Sequence, residues 1–340
     1  MPLAPLLAIP LAAASSAGLI LLLRPLLQRY ALARPNARSS HTVPTPQGGG
    51  IAVVGAVIVA AGLLAGNLPG GEARELLALA LASLVLAVVG AVDDIRPLSA
   101  GLRLALQALA VTGLLLATDG RLLPDLPLWL ERGFAVLAGL WFVNLVNFMD
   151  GLDWMTVSEI VPVTGALVLF GQAGGLGGLP LGPTLVAAGL LGAMLGFAPF
   201  NRPVARLFLG DVGSLPIGLV TAWLLYRLAL EGGFAAAILL PLVYIADATL
   251  TLVRRALRRE PVWQAHRSHF YQRATLNGLS VGAVVGRVFA VNCGLALLAA
   301  ATLLWPIWPV TLAALMLGAA LVAVLLRRFG RAPRRTAPAA

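Results

Sequence analysis

The sequence predicts an all-α polytopic membrane protein, a bundle of ten or eleven membrane-spanning helices. Three observations predict it. Apolar residues make up 59% of the 340 and charged residues only 11%, where a soluble domain carries about 25% charged. Apolar runs close to the ~20 residues needed to cross a bilayer recur along the chain. The 24 basic residues, all arginine, are spread unevenly over the loops between those runs.

The first run, 3–23, has no basic residue ahead of it and arginines after it, so it reads as an uncleaved first span rather than a signal peptide. Ten more follow: 49–67, 75–92, 102–118, 133–149, 154–172, 182–199, 213–230, 234–253, 280–303 and 305–326. Only Trp305-Pro-Ile-Trp-Pro309 divides the last two, hence a count of ten or eleven. Nineteen arginines fall in the tail and in loops after odd-numbered runs, against four (Arg74, Arg121, Arg132 and Arg227) in the opposite loops. Positive loops stay cytoplasmic, which places the N-terminus outside and the C-terminus inside. Residues 1–326 then read as a single transmembrane catalytic domain. Its cytoplasmic loops 24–48, 93–101, 148–154, 200–212 and 254–279 would form the site, and 327–340 a basic disordered tail on anionic lipid.

The net charge of +10 is explained by this orientation and by phosphate binding, so no nucleic-acid partner is expected. With no lysine there is no Walker-type phosphate loop, and ATP hydrolysis is not expected. Cys293 lies in an apolar run and reads as core packing.

Asp93, Asp94, Asp150, Asp153 and Asp211, with all three histidines, fall at the cytoplasmic side of this topology. Asn144-Leu-Val-Asn147-Phe-Met-Asp150-Gly-Leu-Asp153 closes an apolar run. Its asparagines are three apart and share a helical face. Polar groups in lipid are costly and read as functional unless they pair between helices, a reading left open for Asn144. Val92-Asp93-Asp94-Ile-Arg96 can bind a divalent ion, accept a proton or orient phosphate. Leu209-Gly210-Asp211-Val-Gly213-Ser214 opens a helix, where backbone N–H groups favour anions. The loop Gln264-Ala-His266-Arg267-Ser268-His269-Phe-Tyr271-Gln-Arg273 offers phosphate ligands and stacking surface, and its spacing suits no zinc site. Ser39-Ser-His41-Thr-Val-Pro-Thr-Pro-Gln47-Gly-Gly-Gly50 is either a close-approach segment or a structural turn. Asp247 and Glu159, inside spans, are as consistent with packing as with catalysis. These residues alone suit a Mg²⁺-dependent phosphoryl reaction between a soluble nucleotide compound and a membrane lipid.

Six markers in one order carry a resemblance over roughly residues 35–300. They are Pro44-Thr-Pro-Gln-Gly-Gly, Val92-Asp-Asp, the Asn144–Asp153 stretch, Asn201-x-Pro-x-Ala, Phe208-Leu-Gly-Asp-Val-Gly-Ser and His266-Arg-Ser-His. The chain resembles the polyprenyl-phosphate N-acetylhexosamine-1-phosphate transferases, relatives of the phospho-N-acetylmuramoyl-pentapeptide transferase. The resemblance implies transfer of a sugar-1-phosphate from a UDP-N-acetyl-sugar to undecaprenyl phosphate in the bacterial inner membrane, with release of UMP. It implies Asn147 and Asp211 as ligands of Mg²⁺, with Mn²⁺ a substitute. It makes Asp93, Asp94, Asp150 and Asp153 catalytic, and Asn144, Asn201, His266, Arg267, His269 and Arg273 substrate-binding. It also implies an often dimeric helical bundle. Trp154-Met155-Thr156 replaces the usual Gly-Leu-Ala, Gln47 stands where some relatives use lysine, and the loop lacks the triple histidine of the peptidoglycan branch. The O-antigen and surface-glycan branch is the nearer match. The rival reading, a secondary transporter, expects polar residues at the bilayer midplane rather than at one mouth.

Overall fold

A computed structural model describes residues 3–33, 44–66, 68–261, 264 and 266–331. Its helices are α1 (Ala4–Tyr30), α2 (Gly49–Leu64), α3 (Gly70–Ile95), α4 (Ala100–Ala117), α5 (Leu128–Met149), α6 (Met155–Ala173), α7 (Leu181–Phe197), α8 (Asp211–Leu230), α9 (Phe234–Leu239), α10 (Leu242–Leu257), α11 (Phe270–Leu276), α12 (Val281–Leu304) and α13 (Trp308–Gly330). The strands β1 (Leu32–Ala33) and β2 (Thr45–Pro46) pair antiparallel, Leu32 with Pro46 and Ala33 with Thr45. The chain is an all-α polytopic membrane protein. Eight of the described helices are long and apolar enough to cross a membrane.

Each of the eleven apolar runs contains helix, with three differences from expectation. First, α2 and α7 have only 16 and 17 residues, short for a full crossing. Second, the ninth run is two helices, α9 and α10, broken before Pro241. Proline cannot donate its backbone N–H and crowds the preceding turn. Third, helices outrun the apolar stretches. Arg24 and Arg29 lie in α1, Asp93 and Asp94 in α3, and Arg327 and Arg328 in the last turn of α13. Hydropathy ends where lipid ends, but backbone hydrogen bonding does not. Arginine is a good helix former and suits a helix C-terminus. The basic tail therefore starts later than residue 327.

Of the eight long helices the most enclosed is α8, with 83% of its apolar window buried against 22% for α1. Around it stand α2, α3, α5 and α9. Two glycine contacts bring the start of α8 close to its neighbours. A Cβ on Gly50 of α2 would lie 2.1 Å from the Gly213 Cα, and one on Gly90 of α3 would lie 2.2 Å from the Asp211 carbonyl oxygen. Backbone atoms cannot yield to such a methyl, so only glycine admits these crossings.

At the far end of the bundle the four minority arginines tie helix ends together. Arg227 bridges Glu75 and Glu231 at 3.3 Å each, Arg74 meets Asp119 at 2.7 Å, and Arg121 meets Glu131 at 2.8 Å. Arg132 donates to the Thr118 and Gly120 carbonyls at 3.0 Å. Partnered in this way, they are consistent with a face that otherwise carries few cations.

Candidate active site

The α8 helix begins after Gly210, whose φ is +76°. That conformation suits glycine, and a Cβ there would also lie 2.7 Å from Asp94 Oδ2. The Asp94 carboxylate accepts the backbone N–H groups of Asp211 and Val212 at 3.1 and 3.2 Å. It thus satisfies two orphan donors and sets negative charge at the positive helix end. Asp93 accepts from the Leu98 N–H at 2.7 Å and from Arg103 Nη1 at 2.9 Å. Its carboxyl also reaches that of Asp211. From α5, Asn147 Nδ2 donates to Asp211 Oδ1 at 2.7 Å and to Ser214 Oγ at 2.9 Å. Three helix ends therefore bring Asp93, Asp94, Asn147 and Asp211 into one cluster. The glycine-rich segment lies alongside: Phe208 N–H donates to Pro46 O at 2.8 Å, and Gly49 and Gly50 donate to Phe208 O and Leu209 O at 2.9 Å. Residues 39–43 of the Ser39–Gly50 segment, His41 included, lie outside the described residues.

The turn after α5 joins this cluster to the next loop. Asp150 accepts a hydroxyl bond from Thr156. Burial pushes its carboxyl up to about 6, and the charges of Asp94 and Asp153 add to the effect. Asp153 Oδ2 accepts from Ala205 N–H at 3.0 Å. Asn201 accepts from Trp154 N–H at 2.8 Å and donates to Leu207 O at 3.0 Å, while the Trp154 indole donates to Ala198 O at 2.6 Å. Asp153, Trp154 and Asn201 thus clip two loops together by bonding their backbones. The Trp154-Met155-Thr156 departure has a structural role here: tryptophan and threonine supply the indole and hydroxyl bonds.

Two expected substrate contacts are engaged elsewhere. Asn144 is buried and donates to Gln107 Oε1 on α4 at 2.7 Å and to Leu140 O at 2.8 Å. It pairs helices one turn deeper than Asn147, as buried amides in lipid do. Arg273 Nη2 donates to Gly330 O at 3.3 Å, fastening α11 to the end of α13.

The His266 and His269 rings lie beside the cluster, their centroids 4.8 Å apart and their planes tilted by 31°. His269 stacks on Tyr271 at 5.7 Å and lies 6.4 Å from the Phe148 ring. The Tyr271 hydroxyl donates to Phe148 O at 3.0 Å, and a Cβ on Gly151 would stand 2.2 Å from it. Burial, with the charges of Asp247 and Asp150 adding to it, raises the Tyr271 phenol well above its usual range, so it stays neutral and can donate. Sequence reasoning gave no role to Thr156, Ser214 or Gly151, took Tyr271 only as stacking surface, and left Asp247 open. A hydroxyl three or four residues from an acid, on the same helical face, is the signal for Ser214. Tyr271 and Gly151 are far apart in sequence and carry none.

Among the described residues, no three His, Cys, Asp or Glu side chains close into a metal cage. The arrangement is instead an acidic mouth, flanked by histidines and an arginine-rich loop, at one end of an apolar bundle. It can hold a cation together with a polyanion that brings further oxygen ligands.

Residues 76–229 match glycosyl transferase family 4. The chain is 28% identical over 298 residues (80% of each chain) to a probable undecaprenyl-phosphate N-acetylglucosaminyl 1-phosphate transferase of Bacillus subtilis. It is 29% identical over 326 residues (86% of this chain, 80% of the relative) to a decaprenyl-phosphate N-acetylglucosaminephosphotransferase of Mycobacterium tuberculosis. A phospho-N-acetylmuramoyl-pentapeptide-transferase of a Mycobacterium species is 30% identical over 311 residues (74% of this chain, 82% of the relative). The chain belongs to glycosyl transferase family 4, a family of membrane-bound phosphosugar transferases.

Proposed function

We propose that the protein transfers an N-acetyl-amino-sugar-1-phosphate from a UDP-sugar to undecaprenyl phosphate, releasing UMP, at the cytoplasmic face of a bacterial inner membrane. The donor is UDP-GlcNAc or a 6-deoxy relative, and the product starts a surface glycan of the O-antigen kind. The observation that carries this reading is the meeting of Asp93, Asp94, Asn147 and Asp211 from three helix ends. The names of the relatives support the lipid and sugar classes.

The oxygen donors suit Mg²⁺, which takes one or two carboxylates and fills the rest of its shell with phosphate oxygens and water. Asp93 and Asp94 both act on Asp211 as like charges, a crowding that a cation relieves. Asp211 and Asn147 would hold Mg²⁺ or, as a substitute, Mn²⁺; the bound ion supplies charge neutralisation at the diphosphate. The chain's own groups do the rest. Asp93, steadied by Arg103, orients or deprotonates the lipid phosphate. Asp94 fixes the start of α8 and so the position of Asp211. His266, Arg267 and His269 bind sugar and phosphate oxygens. The lipid phosphate oxygen attacks the sugar-bearing phosphorus directly. One phosphoanhydride bond forms, one breaks, and UMP leaves as an anion.

The test is mass analysis of products from purified protein, undecaprenyl phosphate, Mg²⁺ and a panel of UDP-N-acetyl-sugars. The expected result is a lipid-diphosphate-sugar and UMP in equal amounts, reduced at least about 100-fold by Asp211→Ala. No lipid product with any sugar would sink the proposal.

A further inference from the structure

We infer that Asp247 is a positioning residue for His269, fixing its ring plane and tautomer so that Nε2 faces the donor's phosphates. Asp247 is 1% exposed and His269 3%. A carboxylate buried so deeply needs several donors to offset lost hydration, and Asp247 has them. Phe270 N–H donates to Oδ1 and Tyr271 N–H to Oδ2, each at 2.9 Å; Thr251 Oγ1 adds a bond to Oδ1 at 3.3 Å. With both oxygens pinned by backbone, the carboxylate cannot rotate. His269 Nδ1 stands 3.2 Å from Oδ1.

The two backbone bonds would be enough to cap a short helix. The bond to the ring goes beyond capping. A carboxylate accepting at Nδ1 keeps the proton there and leaves Nε2 as the free edge. The ring is registered to the acid cluster as well. It stacks on Tyr271, and Tyr271 bonds Phe148 O, one residue from Asn147. Asp247 itself touches no substrate in this account.

The inference rests on the reading of His269 as a phosphate-binding group, and its test separates the two. Kinetics of Asp247→Asn, His269→Ala and the double variant form a cycle. Asp247→Asn alone is expected to lower kcat about 10- to 100-fold, as loss of an orienting partner does. In the His269→Ala background the same change is expected to cost less than about twofold. Equal losses in both backgrounds would reduce Asp247 to a helix cap and overturn the inference. A second measurement needs no variant to fold. The chain has 3 histidines, so ¹⁵N-histidine NMR of the wild-type protein reads the ring directly. A protonated Nδ1 on His269 supports the inference, and an unprotonated Nδ1 overturns it. If the wild-type protein shows no transfer at all, the proposed function falls while the NMR result still decides the role of Asp247.

Discussion

The Asp150 carboxyl shows what single side chains contribute. Burial holds it near 6, above the ordinary carboxylate range. Its stabilising contribution is therefore full below about pH 4 and is lost as pH rises through about 6. Asp150→Asn keeps the Thr156 acceptor without the charge. Because Asp150 is only partly buried by surface exposure, the gain is expected to be on the order of 1 kcal/mol at pH 8 and near zero at about pH 3.5. Thermal unfolding at the two pH values measures it, and a destabilised variant at pH 8 would refute it. Gly151 gives a packing counterpart. Gly151→Ala drives a methyl into the Tyr271 hydroxyl and should cost about 1–3 kcal/mol. Gly151→Ala with Tyr271→Phe should recover part of that loss in the same unfolding assay. How such residues meet was only partly legible in the sequence. Asp93, Asp94, Asn147 and Asp211 stood out as acids and an amide at the ends of apolar runs. Nothing in the spacing told Asp94 (a helix cap) from Asp93 (an arginine partner), or Asn144 (an interhelical bond) from Asn147 (a cluster member). Those distinctions depend on which neighbour comes within 3 Å, and packing decides that.

Helices were legible wherever lipid imposed a pattern. Every apolar run contains helix, because in hydrocarbon the backbone must bond to itself. The ends were not legible, since arginine and aspartate extend a helix into the headgroups without a hydropathy signal. Nor was the break before Pro241, which lies inside an unbroken apolar run. The close crossings of α2 and α3 with α8 depend on glycine, and they put the cluster together. Gly90→Ala would press a Cβ onto the Asp211 backbone. It is expected to lower the melting temperature by several degrees and to cut product formation at least about 10-fold. The control is Gly113→Ala, where a Cβ meets nothing within 4 Å; it should leave both unchanged. Equal behaviour of the two variants would show that the crossing is not tight.

For the whole molecule, the proposed orientation puts the arginine-rich loops and the acid cluster at one cytoplasmic face. With Cys293 replaced by alanine, a cysteine at Arg202 should react with impermeant thiol reagent only from the cytoplasmic side, and one at Asp125 only from the opposite side. The reverse pattern would invert the topology and separate the site from a soluble nucleotide sugar. The central claim is that the converged carboxylates catalyse exchange of one phosphoanhydride bond for another. The measurement that tests it most directly is the transfer of labelled UMP into UDP-GlcNAc, or into the sugar chosen by the product panel, by purified protein. Exchange that requires Mg²⁺, undecaprenyl phosphate and Asp211 together is the predicted result. Exchange that proceeds without the lipid phosphate, or survives Asp211→Ala, would contradict direct attack at this site.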